Sequence, residues 1–151
     1  VTSVEIPPVE ALELRTATEA DVAAVERCVK ACGKWVATYF DLHDRENFYT
    51  DDQCWIATDG GAVAAFAIAV PLKRSNVTSL YEFGVHPLFR GQGLGRRLLK
   101  LAAVGRPIRL VVDAENGQAA MFYMRAGLRI TGSRRVKTGN RLVYTMEGEP
   151  C

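Results

Sequence analysis

The chain has 151 residues, 48% of them hydrophobic and 24% charged, which suits one folded domain and excludes a disordered or fibrous chain. Nineteen Lys and Arg against 17 Asp and Glu leave a net charge of +2, so the total does not mark a nucleic-acid or membrane-surface protein. The longest apolar run, Ala62 to Val70, falls well short of a bilayer span and reads as a strand buried on both faces.

Val1 to Glu10 carries two prolines, two acids and no base, unlike a secretory signal. We read residues 1–10 as a short arm, residues 11–151 as the domain, and the protein as cytoplasmic. Leu12 to Thr16 alternates like a strand, and Thr18-Glu19-Ala20-Asp21 resembles a helix N-cap with an acid three residues on. Val22, Val25, Val29 and Cys32 then recur at helical steps until Gly33. Lys34 to Thr50 mixes aromatics with charges and reads as a second helix and a loop. Cys54 to Thr58, the turn Asp59-Gly60-Gly61, and Ala62 to Val70 form a predicted hairpin. Val77 to Val85 continues the antiparallel meander to His86-Pro87.

There the period changes from two to about 3.6. Leu94, Leu98, Leu101 and Ala102 make an apolar stripe opposite Arg96, Arg97 and Lys100. Pro107 to Val112 reads as a strand, Gly117 to Arg125 as a helix ended by Gly127, and Leu128 to Gly132 and Arg141 to Glu147 as the last strands. The order predicts an α/β domain with a mixed sheet. Cys28, Cys32, Cys54 and Cys151 read as free thiols, since a chain of this length needs no staples. Cys28 and Cys32 lie four apart on a predicted helix, but no second His/Cys pair of ligand spacing accompanies them, so no metal is expected.

The chemistry concentrates in Arg90-Gly91-Gln92-Gly93-Leu94-Gly95, between a strand and an amphipathic helix. Glycines there let backbone N–H groups crowd an anion at the positive helix end. No acid lies between Glu82 and Asp113, whereas Arg90, Arg96, Arg97, Lys100, Arg106 and Arg109 do, so the local signal is for a polyanion; the competing reading is a tight turn beside a solvated helix face. A P-loop would need Gly-Lys-Ser/Thr where Gly95-Arg96-Arg97 stands, and a dinucleotide fingerprint would place its third glycine at Arg96.

Phe83-Gly84-Val85-His86-Pro87, Arg90-x-x-Gly93-x-Gly95 and Asn116-x-x-Ala119-x-x-x-Tyr123-x-x-x-Gly127-Leu128 together resemble the GNAT family of acyl-CoA-dependent N-acyltransferases. The weaker Leu14-Arg15-x-Ala17-Thr18-x-x-Asp21 looks like that family's first strand and helix start. The resemblance implies an α+β domain: a mixed, mostly antiparallel sheet of about six to seven strands with helices on both faces. Its splayed parallel pair, Val77 to Val85 and Pro107 to Val112, would hold the pantetheine arm of CoA.

Backbone groups of Phe83 and Val85, flanking Gly84, would pair with pantetheine. Arg90 and the amides of Gly91, Gln92, Gly93, Leu94, Gly95 and Arg96 would hold the pyrophosphate, and Asn116 the CoA arm. Asn116 also suits an ordinary helix cap. The chemistry implied is direct attack of an amine on acetyl-CoA, with the Val85 N–H as oxyanion donor and Tyr123 as the acid that protonates the leaving thiolate. The competing reading makes Tyr123 a helix-core aromatic. Relatives carry a basic glutamate at positions that fall here on Val111 or near Ser79, neither of which is a base. Glu82 and Asp113 are the nearest carboxylates, although strand alternation can turn Glu82 from the face of Phe83 and Val85. A water chain, or an amine arriving neutral, could also serve.

For the acceptor, Trp35 to Asp52 joins aromatics with Asp41, Asp44, Glu46, Asp51 and Asp52, which suits a cationic amine or a solvated loop. Arg134, Arg135, Lys137 and Arg141 make the final hairpin basic; nucleic-acid binding there is disfavoured because no aromatic lies among them. The expectation is a cytoplasmic acetyltransferase for a small molecule, peptide terminus or lysine, monomeric or homodimeric, with the last strand as a candidate open edge. The alternative is a non-catalytic acyl-CoA-binding or sensing module.

Overall fold

The computed structural model describes residues 6–33, 35 and 53–151. The acceptor segment read above therefore lies outside the described residues, except for Trp35. Seven strands form one sheet: β1 (Glu13–Thr16), β2 (Cys54–Thr58), β3 (Val63–Pro71), β4 (Thr78–Val85), β5 (Ile108–Asp113), β6 (Arg129–Val136) and β7 (Arg141–Gly148). The spatial order is β1-β2-β3-β4-β5-β7-β6. Three α-helices are described besides short 3-10 turns: α1 (Val22–Cys32), α2 (Leu94–Ala102) and α3 (Gly117–Arg125). The result is the expected α+β fold with a mixed sheet, in which β4 and β5 are the parallel pair.

The chain divides into two compact units, Val1–Ile68 with Glu82–Leu98 and Ala69–Tyr81 with Leu99–Cys151. In the first, the predicted N-cap forms: Thr18 N–H donates to Asp21 Oδ2 at 2.9 Å. A 3-10 turn, Glu19–Asp21, then leads into α1. Arg15 Nη1 donates to the same Asp21 oxygen at 2.7 Å, and this bond holds the Asp21 carboxyl down at about 2. The β2–β3 hairpin turns where Asp59 Oδ1 accepts from the N–H groups of Gly61 and Ala62, at 2.9 and 2.8 Å. The stretch from Val63 to Ala69 is buried throughout, so an apolar run replaces the alternation of a half-exposed strand. Val25, Cys28 and Val29 of α1 share a core with Ile56, Phe66 and Ile68.

In the second unit, the start of β4 is anchored by Thr78, whose buried hydroxyl donates to Ala103 O at 2.8 Å. Thr78 and Ser79 pair in parallel with Ile108 and Arg109. α3 stops at Gly127 (φ +105°), and a Cβ on Gly148 would lie 2.6 Å from Gly127 O, a close approach only glycine allows. Two sequence expectations change. Leu99 is fully buried in α2 while Leu101 is 39% exposed, because the buried face centres between Leu98 and Ala102 and leaves Leu101 on its margin. The last strand, β7, lies between β5 and β6, so the sheet margin is β6, studded with Arg129, Arg134 and Arg135, charges that blunt an edge.

Candidate active site

β4 ends in Glu82-Phe83-Gly84-Val85, and alternation puts Glu82 and Gly84 on one face, Phe83 and Val85 on the other. A Cβ on Gly84 would meet Cys32 Sγ and Phe66 Cε1, each at 2.8 Å. The glycine is thus the space into which the α1 thiol fits. Glu82 shares this face with Gly84. Its carboxyl is pushed up to about 8 by burial and, secondarily, by the negative charge of Cys32.

Beyond β4, His86 opens a short turn, and its Nδ1 accepts from Leu88 N–H at 3.2 Å, which gives the imidazole a structural task. Arg90 folds back so that Nε donates to Val85 O at 2.9 Å, tying the glycine loop to the strand end. Gly91 (φ +79°) and Gly93 (φ +81°) adopt the left-handed conformation, and a Cβ on either would meet open space. α2 follows at Leu94. Its first-turn amides lack intrahelical acceptors, and they cluster where the helix dipole is positive. With Arg90, Gln92, Gly95 and Arg96 alongside, this loop fits a diphosphate.

The remaining predicted residues lie in the second unit. Asn116 caps α3, its Oδ1 accepting from Ala119 N–H at 3.4 Å. Tyr123 is buried, 8% exposed, with its ring edge-to-face against Phe122 at 5.5 Å between centroids. Both Asp113 oxygens are engaged: Oδ1 accepts from Glu115 N–H at 2.9 Å, and Oδ2 from Arg141 Nη1 at 3.1 Å. Arg141 of the basic hairpin is therefore paired with an acid, and Arg135 Nη1 donates to Asn140 O at 3.2 Å. Sequence reasoning read Cys32 as a free thiol on the apolar face of α1 and set aside a metal role; its contact with the strand beside Val85 had no signal beyond the glycine at 84. Among the described residues, no three His, Cys, Asp or Glu side chains gather as a metal site, and no helix is long and apolar enough to cross a membrane.

The family model of the acetyltransferase (GNAT) domain matches residues 50–129, more than half of the chain. The chain belongs to the GNAT acetyltransferase family. The matched span holds both motif blocks of this GNAT chain, from Phe83 to Gly95 and from Asn116 to Leu128. Among solved structures it is similar to a GNAT-family protein from Desulfovibrio desulfuricans, with a TM-score of 0.76 and 19% identity over 91% of this chain and 98% of that one. The ribosomal-protein-S18-alanine N-acetyltransferase of Escherichia coli gives a TM-score of 0.68 and 22% identity, covering 93% and 95%. YncA from Salmonella typhimurium, solved with its cofactor acetyl-CoA, gives 0.68 and 20%, covering 91% and 93%. No curated protein matches by sequence. These likenesses concern the GNAT fold.

Proposed function

We propose that this GNAT domain transfers an acetyl group from acetyl-CoA to a primary amine by direct attack within a ternary complex. The observation that carries the reading is Glu82, a half-buried carboxyl pushed up to about 8 and three residues before Val85 on β4. A base works best when its pKa lies near the working pH, and the like charge of Cys32 together with burial supplies that tuning. As base we favour Glu82 over Asp113, because both Asp113 oxygens are engaged, by Arg141 and by the Glu115 N–H.

Acetyl-CoA supplies an activated thioester. The amides from Gly91 to Arg96 hold its diphosphate, the backbone of Phe83 and Val85 pairs with pantetheine, and Asn116 bonds the same arm. Glu82 takes a proton from the acceptor ammonium, freeing the lone pair that attacks the carbonyl. The Val85 N–H stabilises the oxyanion. Tyr123, a phenol still protonated at neutral pH, delivers a proton to the departing thiolate. The acids of residues 41–52 favour a cationic acceptor: a small amine, a peptide terminus or a lysine.

Calorimetric titration with acetyl-CoA, followed by thiol release in the presence of peptide, lysine and polyamine amines, tests this. Binding with amine-dependent thiol release supports the transferase. Binding of acetyl-CoA with no release for any amine would replace it with a binding module.

A further inference from the structure

β6 is the last strand of the sheet, and among the described residues nothing pairs with its outer edge. Seven of its eight residues are exposed, so a row of backbone N–H and C=O groups lies open there. Its pairing with β7 is interrupted once. Ile130 lies opposite Met146 and Gly132 opposite Thr145, so Thr131 is an extra residue, a β-bulge. The Thr131 hydroxyl donates to Thr145 O at 3.2 Å, which holds the bulge in place. Without the bulge, Arg129 and Arg134, five apart in the sequence, would fall on opposite faces; with it they share one. Arg129 lies opposite Glu147, Gly132 opposite Thr145 and Arg134 opposite Val143, which are alternate positions of β7.

Neither base is neutralised within the sheet. Glu147, the acid opposite Arg129, already accepts from Arg109 Nε at 3.0 Å, and Val143 opposite Arg134 carries no charge. Among the described residues no ion pair involves Arg129 or Arg134. The sequence holds no acid between Glu115 and Glu147. A Cβ on Gly132 would meet nothing within 4 Å, so the two bases flank an open gap. We propose that the outer edge of β6 docks an extended acidic segment of a partner protein, in which two carboxylates flank an aromatic residue at alternate positions.

Register sets that pattern. Arg129, Gly132 and Arg134 occupy three alternate ladder positions, so the two bases lie about 13 Å apart along the strand. A strand added to the edge carries its side chains i, i+2 and i+4 on the same face at the same spacing. Acids at i and i+4 then meet the arginines as opposite-charge cross-strand pairs, and a ring at i+2 covers Gly132, as aromatics do at edge glycines. The spacing is symmetric, so it holds in either strand direction. A second copy of this chain fits poorly, because its β6 brings the same bases to the edge and like charges repel across a ladder. The charges that blunt this edge against self-association thus select an acidic partner. A nucleic acid would match the bases, but phosphates only accept hydrogen bonds and leave the strand carbonyls unpaired, and β6 has no aromatic on which a nucleobase could stack.

The test uses the intact protein and a fluorescein-labelled peptide, Thr-Glu-Thr-Tyr-Thr-Glu-Thr, read by fluorescence anisotropy and by hydrogen exchange. The expected result is saturable binding with slowed exchange confined to β6. Gln in place of either peptide Glu, or Arg129→Ala or Arg134→Ala in the protein, weakens binding about two- to fivefold. The double variant Arg129→Glu with Arg134→Glu abolishes it, with circular dichroism as the check on folding. A paired strand uses the N–H groups of alternate residues only, so N-methylation of one alternate set of peptide amides abolishes binding while methylation of the other set is tolerated. Absence of saturable binding, or equal binding by both methylated peptides or by a peptide with Lys in place of Glu, overturns the proposal. So does single-stranded oligothymidylate that binds more tightly and displaces the peptide, or a dimer in sedimentation whose β6 amides are protected without peptide. Each outcome is independent of acetyl transfer.

Discussion

The C-terminal ends of β4 and β5 each carry one carboxylate, Glu82 and Asp113, and the two have opposite surroundings. Burial and, secondarily, the nearby Cys32 thiol push the Glu82 carboxyl up to about 8. Among the described residues no salt bridge reaches it. Asp113 accepts a backbone N–H and pairs with Arg141, an arrangement that braces the β5–α3 turn against β7. A carboxylate becomes a base through what surrounds it, not through its place in a motif. The same contrast runs through the thiols: Cys32, with Cys28 and then Arg90 acting on it, is drawn down, and Cys54 is pushed up by burial.

The sharpest test of this comparison is Glu82→Gln. We expect kcat for acetyl transfer to fall by about 100- to 10,000-fold, the range of a general base, with acetyl-CoA binding preserved. In the wild type, kcat/KM rises with pH through about 8 because only the ionised carboxylate accepts a proton; the variant loses that rise. Stability moves the other way. A folded carboxyl raised from its ordinary 4.5 to about 8 holds its proton more tightly than the unfolded chain, so folding free energy is lost as pH rises across that window. Glu82→Gln flattens this slope in denaturant titrations.

Tyr123→Phe comes next. If the phenol protonates the leaving thiolate, kcat drops about ten- to a hundredfold, while calorimetry with acetyl-CoA is unchanged. An unaltered kcat would return Tyr123 to the role of a core aromatic packed on Phe122. Gly84→Ala examines the Glu82 side through packing: the new Cβ collides with Cys32 Sγ and Phe66, and overpacking of this kind costs roughly 1–3 kcal/mol, read as a lower denaturation midpoint.

The smallest effect belongs to Asp113→Asn. Its pair with a half-exposed Arg141 contributes at most about 1 kcal/mol, so stability declines slightly and turnover persists. Should Asp113→Asn abolish turnover while Glu82→Gln does not, the roles of the two strand ends are reversed.

Much of the fold was legible because its signals are local. The Thr18–Asp21 cap, the Asp59 turn and the switch of period at Leu94 each depend on neighbours within one turn, and all three formed. The glycine loop was legible for the same reason, since Gly91 and Gly93 adopt backbone angles that side-chain-bearing residues rarely tolerate. Strand order was not. β7 reads as a terminal strand in the chain, yet it inserts beside β5, a choice made by pairing between distant segments. Leu99 and Leu101 both lie near the apolar stripe, and only packing decided which is covered.

By itself the sequence determined the family, the strand, glycine loop and helix proposed to hold a phosphate, and the candidates for its chemistry, because backbone conformation and motif spacing are written in residue identity. The tertiary structure decided which carboxyl is raised by its surroundings and which thiol lies against the strand. Proton affinity depends on desolvation and on charges brought near by folding, and Cys32, Glu82 and Arg90 meet only when α1, β4 and the glycine loop come together.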